Sequence, residues 1–219
     1  MYNPAHFTET RPEVLHALMR DYPLGTLVTL GSTGLDANHL PFEFDPTPAA
    51  DAPFGTLRVH VARANPVWKD FSREHETLVI FQGPQAYITP SWYETKRETG
   101  KVVPTYNYCV VHAHGPLRVI DDAAWLHAMV TRLTARHESP RPAPWAVADG
   151  PPDFIAKQLA AIVGIEVPVT RLVGKWKVSQ NRNDVDRAGV AAGLQSSGQP
   201  ESAAMAKLVT DFPPRTPAA

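Results

Sequence analysis

Eight short runs rich in β-branched and aromatic residues punctuate this chain, at positions 24–30, 40–44, 57–61, 78–81, 85–89, 106–111, 117–120 and 164–177. Turn-forming residues separate most of them, which is the pattern of an antiparallel sheet that closes into a barrel. At 219 residues with 43% hydrophobic side chains, the chain is long enough to bury a full core. A mainly β domain with helical decoration is therefore expected.

Helices are predicted where the spacing changes from two to about 3.6. Thr10-Arg-Pro-Glu13 has the form of a capping box with proline in the first turn, followed by Val14, Leu15, Leu18, Met19 and Tyr22 at helical spacing and closed by Pro23. Asn65-Pro66 supplies a cap and a first-turn proline for a short helix expected to bury Trp68 and Phe71, and Asp121 is placed as the cap of a longer one with Trp125, Leu126, Met129, Val130 and Leu133 inward. Another helix is expected near 153–162, and two weaker ones at 185–194 and 201–212, joined by Gln195-Ser-Ser-Gly198. The 22 prolines gather at 41–53, 140–152 and 213–217, read as loops and a frayed tail. The resulting organisation is a domain over 1–182 and a helical extension with its tail over 183–219.

Several function classes fall away. Twenty-one Lys and Arg against 22 Asp and Glu give a formal charge of -1, so no general attraction to nucleic acid or anionic lipid is expected. The longest apolar stretches, around 159–169, are broken by Gly164, Glu166 and Pro168 and are too short for a bilayer span. The first ten residues lack the basic and apolar regions of an export signal, which makes the cytoplasm the expected location. Cys109 is the sole cysteine, so neither an intrachain disulfide nor a cysteine metal cluster can form. No Gly-x-Gly-x-x-Gly after a strand, Walker loop, His-Glu-x-x-His or Gly-x-Ser-x-Gly is present.

Four segments place polar and phosphate-binding side chains among aromatics at strand ends. In His60-Val-Ala-Arg-Ala-Asn-Pro66 a strand leads into a helix start, where backbone amides and Arg63 form a candidate phosphate cradle; a simple helix cap with a solvated Arg63 accounts for the same residues. In Tyr87-Ile-Thr-Pro-Ser-Trp-Tyr93 and Val103-Pro-Thr-Tyr-Asn-Tyr108, Thr89 with Ser91 and Thr105 with Asn107 share a side of an extended chain. Such walls suit an aromatic, polyhydroxylated ligand. In Gly174-Lys-Trp-Lys-Val-Ser-Gln-Asn-Arg182, a continued strand puts Lys175, Lys177, Ser179 and Asn181 on one face and Trp176, Val178 and Gln180 on the other. That first face is either an anion wall or a lysine-protected edge strand. His112 and His114 alternate on a strand, but only two nitrogens are defined, so no metal site is expected.

Met1-Tyr2-x-Pro4-x-His6-Phe7, Tyr87-Ile-Thr-Pro-Ser-Trp-Tyr93, Val103-Pro-Thr-Tyr-Asn-Tyr108 and Gly174-Lys-Trp-Lys-Val-Ser-Gln-Asn181 resemble, in order, the motifs of the PaiB-type FMN-binding negative transcriptional regulators. The likeness runs from Met1 to about Leu194. Tyr106 stands where that family's motif has tryptophan and Val178 where it has leucine; both keep their aromatic or aliphatic character. The resemblance implies a six-stranded antiparallel FMN-binding split barrel, a homodimer with FMN between subunits, and a cofactor role for His60, Arg63, Asn65, Thr89, Ser91, Thr105 and Asn107. Lys177, Ser179, Gln180 and Asn181 join this set mainly on composition.

The expected function is thus an FMN-binding flavoprotein of the PaiB type, with no catalytic acid or base identified. The alternatives are an FMN-dependent oxidoreductase acting on a small acceptor, in which the flavin carries the electron chemistry, and a haem-binding split barrel using His60, His112 or His114. The regulator label comes with the resemblance alone, since the chain has neither a helix-turn-helix pattern nor a basic patch.

Overall fold

Leu24–Gly31 alternates buried and half-buried side chains, with Leu27 and Thr29 inside, the period-two signature of a strand with one face on a core. A computed structural model describes residues 1–214. In chain order the elements are β1 (Thr8–Glu9), α1 (Pro12–Asp21), β2 (Leu24–Gly31), β3 (Gly34–Pro41), β4 (Glu43–Asp45), β5 (Thr56–Ala62), β6 (Thr77–Ile88), α2 (Glu94–Thr99), β7 (Thr105–Gly115), β8 (Arg118–Ile120), α3 (Ala123–Glu138), α4 (Pro152–Ala160), β9 (Ile162–Pro168), β10 (Arg171–Lys177), α5 (Asp184–Ser196) and α6 (Pro200–Asp211). The strands form a six-stranded sheet in the order β1-β10-β7-β6-β2-β3 and a four-stranded sheet in the order β4-β5-β9-β8. The expected mainly β fold with helices is present, but the strands number ten among the described residues, with six in one sheet only.

Several boundaries differ from the sequence reading. The runs at 78–81 and 85–89 are one strand, β6, which passes through Gly83-Pro84 without turning. The run at 40–44 is divided at Phe42 between β3 and β4, and the run at 164–177 is two strands, β9 in the four-stranded sheet and β10 in the six-stranded one. α2 was not foreseen. At the start of α1, the backbone N–H groups of Thr10 and Arg11 donate to the buried Glu9 carboxylate at 3.0 and 2.9 Å, so Glu9 serves the helix start. Asp122, not Asp121, caps α3 by accepting from the Trp125 N–H at 2.7 Å. Of the α3 residues expected inward, Leu126 and Met129 are buried; Trp125, Val130 and Leu133 are half-buried. The helix expected after Asn65 is a single 3-10 turn, Pro66–Trp68, whose buried residue is Val67; Trp68 and Phe71 are half-buried. The tail expected at 213–217 falls largely outside the described residues; Pro213 and Pro214 have no regular structure.

The chain divides into two compact units. One comprises Met1–Leu18, Gln82–Val111 and the chain from Val173 onward. Here β1 pairs antiparallel with β10, Thr8 opposite Lys175, and Leu15, Ile88, Tyr93, Trp176, Val190, Leu194 and Met205 are buried. α5 and α6 belong to this unit and pack against each other, with the buried Arg187 donating to the carbonyls of Val209 and Phe212 at the end of α6. The other unit comprises Met19–Phe81 and His112–Leu172. In it β5 pairs with β9 from Thr56↔Pro168 to Ala62↔Ile162. That register sets Leu57, Val59 and Val61 opposite Val167, Ile165 and Val163, all buried. Arg58 and His60 project from the opposite face, Arg58 paired with Asp45 and Glu166. No helix among the described residues is long and apolar enough to cross a membrane.

Candidate functional site

The second unit holds three of the predicted site residues. Arg63, just past β5, directs Nη1 and Nη2 at Asp121 (2.9 and 2.6 Å) and donates from Nε to the Ala160 carbonyl at 2.8 Å and from Nη2 to that of Ile162 at 3.0 Å. The carboxylate raises the guanidinium pKa, and Arg63 holds Asp121 below the usual carboxylate range. Asn65 accepts from the Val67 N–H at 2.9 Å and donates from Nδ2 to Asn38 Oδ1 at 2.8 Å. The phosphate cradle read at this point relied on a helix N-terminus and a free Arg63; the structure has one 3-10 turn and a guanidinium already engaged. His60 is half-buried, its Nδ1 walled off from solvent with no hydrogen-bond partner, and burial lowers its pKa. It lines a cavity beneath α4.

The remaining predicted residues lie in the first unit. Lys177, at the end of β10, donates to Thr105 Oγ1 and, at 2.6 Å, to the Tyr106 carbonyl. Asn107, buried on β7, donates from Nδ2 to Ser179 Oγ at 2.9 Å. Thr105, Asn107, Lys177 and Ser179 are thus brought together by neighbouring ends of β7 and β10. Gln180 is buried for a backbone reason: Oε1 accepts from the Val178 N–H at 2.8 Å and Nε2 donates to the Trp176 carbonyl at 2.6 Å. Asn181 is exposed. The two-faced strand expected through Asn181 ends at Lys177; Val178, Ser179 and Gln180 are all buried, so the alternation is lost where Ser179 takes a left-handed φ of 67°. The edge-strand alternative also fails, since β10 lies between β1 and β7. Lys175 is buried, donating to the Tyr2 carbonyl at 3.0 Å beside the rings of Tyr2 and Tyr108.

Thr89 and Ser91 do not form a strand wall. Thr89 caps the 3-10 turn Pro90–Trp92, accepting from the Ser91 N–H at 3.3 Å, and Lys96 Nζ donates to Ser91 Oγ at 3.1 Å.

Electrostatics sets Lys177 apart. Burial, the most important cause, and repulsion from Lys175 and Arg182 lower its pKa, and none of these three cations is in an ion pair among the described residues. Arg182 instead sits over the Tyr93 ring, 4.7 Å from its centroid. Tyr87 and Tyr106 meet edge to face at 5.8 Å with both rings more than half exposed. Arg182 and this tyrosine pair were missed as site candidates, although each lies in or beside a quoted motif. A half-buried, uncompensated cationic group bordered by hydroxyl, amide and aromatic side chains fits the phosphate of a flavin nucleotide.

His112 and His114 lie 6.4 Å apart, centroid to centroid, and burial lowers both pKa values. No cluster of three or more metal-ligating side chains occurs among the described residues. Cys109 is a buried free thiol whose pKa burial pushes up, which keeps it in the unreactive thiol form.

Two antiparallel sheets with their helices give the chain a fold of the split-barrel type. The structure is similar to that of the FAD and haem binding protein from Mycobacterium smegmatis, with a TM-score of 0.55 over 85% of this chain and 80% of that one at 17% identity. Residues 1–171 match the family described as "Putative FMN-binding domain". The chain belongs to that family, and FMN is its cofactor. It is 32% identical to the protease synthase and sporulation protein PAI 2 of Bacillus subtilis over 96% of this chain and 97% of that protein. It is also 35% identical to an uncharacterized protein of Aspergillus fumigatus over 96% of this chain and 97% of that one. The PaiB-type resemblance read from the motifs is borne out.

Proposed function

We propose that the protein is a homodimeric FMN flavoprotein in which Lys177, supported by Thr105, Asn107 and Ser179, takes the cofactor's phosphate. The single observation that carries this reading is the unpaired charge of Lys177 beside Lys175 and Arg182. Three cations with no carboxylate partner repel one another in a partly dry setting, and a dianion relieves that repulsion. The exposed Tyr87–Tyr106 pair borders the same residues through the Tyr106 carbonyl that accepts from Lys177, offering a ring surface that a flavin or a second copy would cover. Arg63 and Asn65 enter the proposal as residues that hold the 62–68 turn in shape. When bound, FMN supplies electron transfer through its isoalloxazine, and oxidation of a nicotinamide donor only in the presence of FMN would make the protein an oxidoreductase.

The regulator reading receives no support from the arginines. Arg58, Arg63, Arg118 and Arg132 each face a carboxylate, and duplex DNA is expected to bind no tighter than about micromolar at physiological salt.

Titration of the apoprotein with FMN and with riboflavin tests the assignment. Lys177→Met is expected to weaken FMN by roughly ten- to a hundredfold, the range for a charge-assisted contact, and to leave riboflavin nearly unchanged. Equal losses for both ligands overturn it. Light scattering of the flavin-loaded protein is expected to give a dimer.

A further inference from the structure

α4 is amphipathic, yet none of its residues is buried: Ile155 and Leu159 are half-buried and Phe154 is 53% exposed. A helix that rests on a packed core hides such a face completely. Here its apolar side covers a cavity of about 260 Å³ lined by His60, Val130, Trp145, Phe154, Ile155 and Ile162 among others. The outer wall comes from the proline-rich loop before α4. That loop is tied down where the Trp145 N–H donates to Glu138 Oε2 at 3.1 Å and the Ala146 N–H to Asp149 Oδ2 at 2.8 Å, which holds the half-exposed Trp145 ring at the mouth.

The polar feature of the lining from the sheet side is His60. Its Nδ1 is buried without a partner. A buried donor with no acceptor is costlier than a buried lone pair, so the neutral ring keeps its proton on Nε2. We propose that this cavity binds a small neutral aromatic or heteroaromatic molecule bearing one carbonyl-type oxygen, which accepts from His60 Nε2–H while its ring packs against Trp145 and Phe154. Charged ligands are disfavoured because the walls are aliphatic and aromatic, with only Thr134 and Gln158 adding uncharged polar groups. A volume of about 260 Å³ suits a small ring system and is too small to enclose a whole FMN. The site is separate from the flavin reading and does not rest on it. It moves His60 from the cofactor set to a site of its own.

Acetophenone and ethylbenzene, which differ in the carbonyl oxygen at nearly constant shape, are the probes, with benzoate as the charged comparison. The FMN-loaded protein is titrated with each while the methyl signals of Val130, Ile155 and Ile162 are followed by NMR. Acetophenone is expected to move these signals and to bind about five- to tenfold more tightly than ethylbenzene, the worth of one neutral hydrogen bond, with benzoate weakest. His60→Leu is expected to reduce acetophenone to the ethylbenzene level, and Val130→Phe, which fills the cavity, to abolish both. Should His60→Leu fail to fold, the comparison of the two probes on the unaltered protein and on Val130→Phe still decides. Equal binding of acetophenone and ethylbenzene, unmoved methyl signals at millimolar probe, or binding that survives Val130→Phe each overturns the proposal.

Discussion

Arg63 and Asp121, 58 positions apart, form a two-pronged ion pair with contacts of 2.9 and 2.6 Å. The same guanidinium reaches the carbonyls of Ala160 and Ile162, so one side chain ties the end of β5 to the approach to α3 and to the α4–β9 junction. A planar fork with this many acceptors is positioned by the fold itself.

Arg63→Ala is therefore expected to lower the urea midpoint and to weaken FMN and riboflavin by the same factor. Arg63→Lys, with the charge but not the fork, is expected to fall between the two. Flavin titrations and urea curves on the three proteins check this, and a loss confined to FMN would show that Arg63 leaves Asp121 for the phosphate.

A pH dependence follows from three histidines. Burial depresses the pKa of His60, His112 and His114, so on acidification the unfolded chain takes up protons near the ordinary value of about 6.5 while the folded protein resists. Their contribution to stability is complete above about pH 6.5 and is lost as pH falls through the depressed folded values. The paired carboxylates Asp45, Asp51 and Asp121, lowered from their ordinary values, act only in a more acidic window. Urea midpoints are expected to drop between about pH 7.5 and 5.5 and to drop less in His60→Leu; a midpoint constant over this range contradicts the reading.

Gly189 and Gly193 let α5 accept Trp92. A Cβ on Gly193 would collide with the Trp92 indole and one on Gly189 with the Trp92 carbonyl, so the helix backbone lies against the 3-10 turn that Thr89 caps. Gly193→Ala is expected to destabilise the protein by about 1–3 kcal/mol through overpacking and to shift tryptophan emission as the indole is displaced. An unchanged urea midpoint would mean that the turn yields freely.

These pairings mark where the sequence stops being sufficient. The strand at 24–31 was legible because its alternation is local, and α5 and α6 because their apolar spacing is. β6 was read as two strands because Gly83-Pro84 looks like a turn, whereas Gly83 is where a Cβ would crowd Leu18 Cδ1 at 2.9 Å. Asp121 and Asp122 are equally good caps by type; which one serves α3 is decided by Arg63 holding the other. The motif residues Thr105, Asn107, Lys177 and Ser179 were all legible as candidates. Their pairing was not, because Asn107 and Ser179 lie 72 positions apart and the left-handed turn that joins them has no glycine to announce it.

That turn gives the last prediction. Ser179 has a φ of 67°, a region that costs a residue with a Cβ roughly 1 kcal/mol or more and that glycine enters freely. Its hydroxyl offsets part of this by accepting from the buried Asn107 amide. Ser179→Gly relieves the strain and loses the hydrogen bond, so its stability is expected within about 1 kcal/mol of the unaltered protein. Ser179→Ala loses the same bond to Asn107 but keeps the strain, and is expected to be less stable than the unaltered protein by about 1–2 kcal/mol. If the strained serine is there for the flavin, both variants lose FMN affinity, including the glycine variant that folds as well as the original. Urea denaturation and FMN titration on the two variants separate the roles. A glycine variant with unaltered FMN affinity would restrict Ser179 to shaping the turn and leave Lys177 to carry the phosphate site without it.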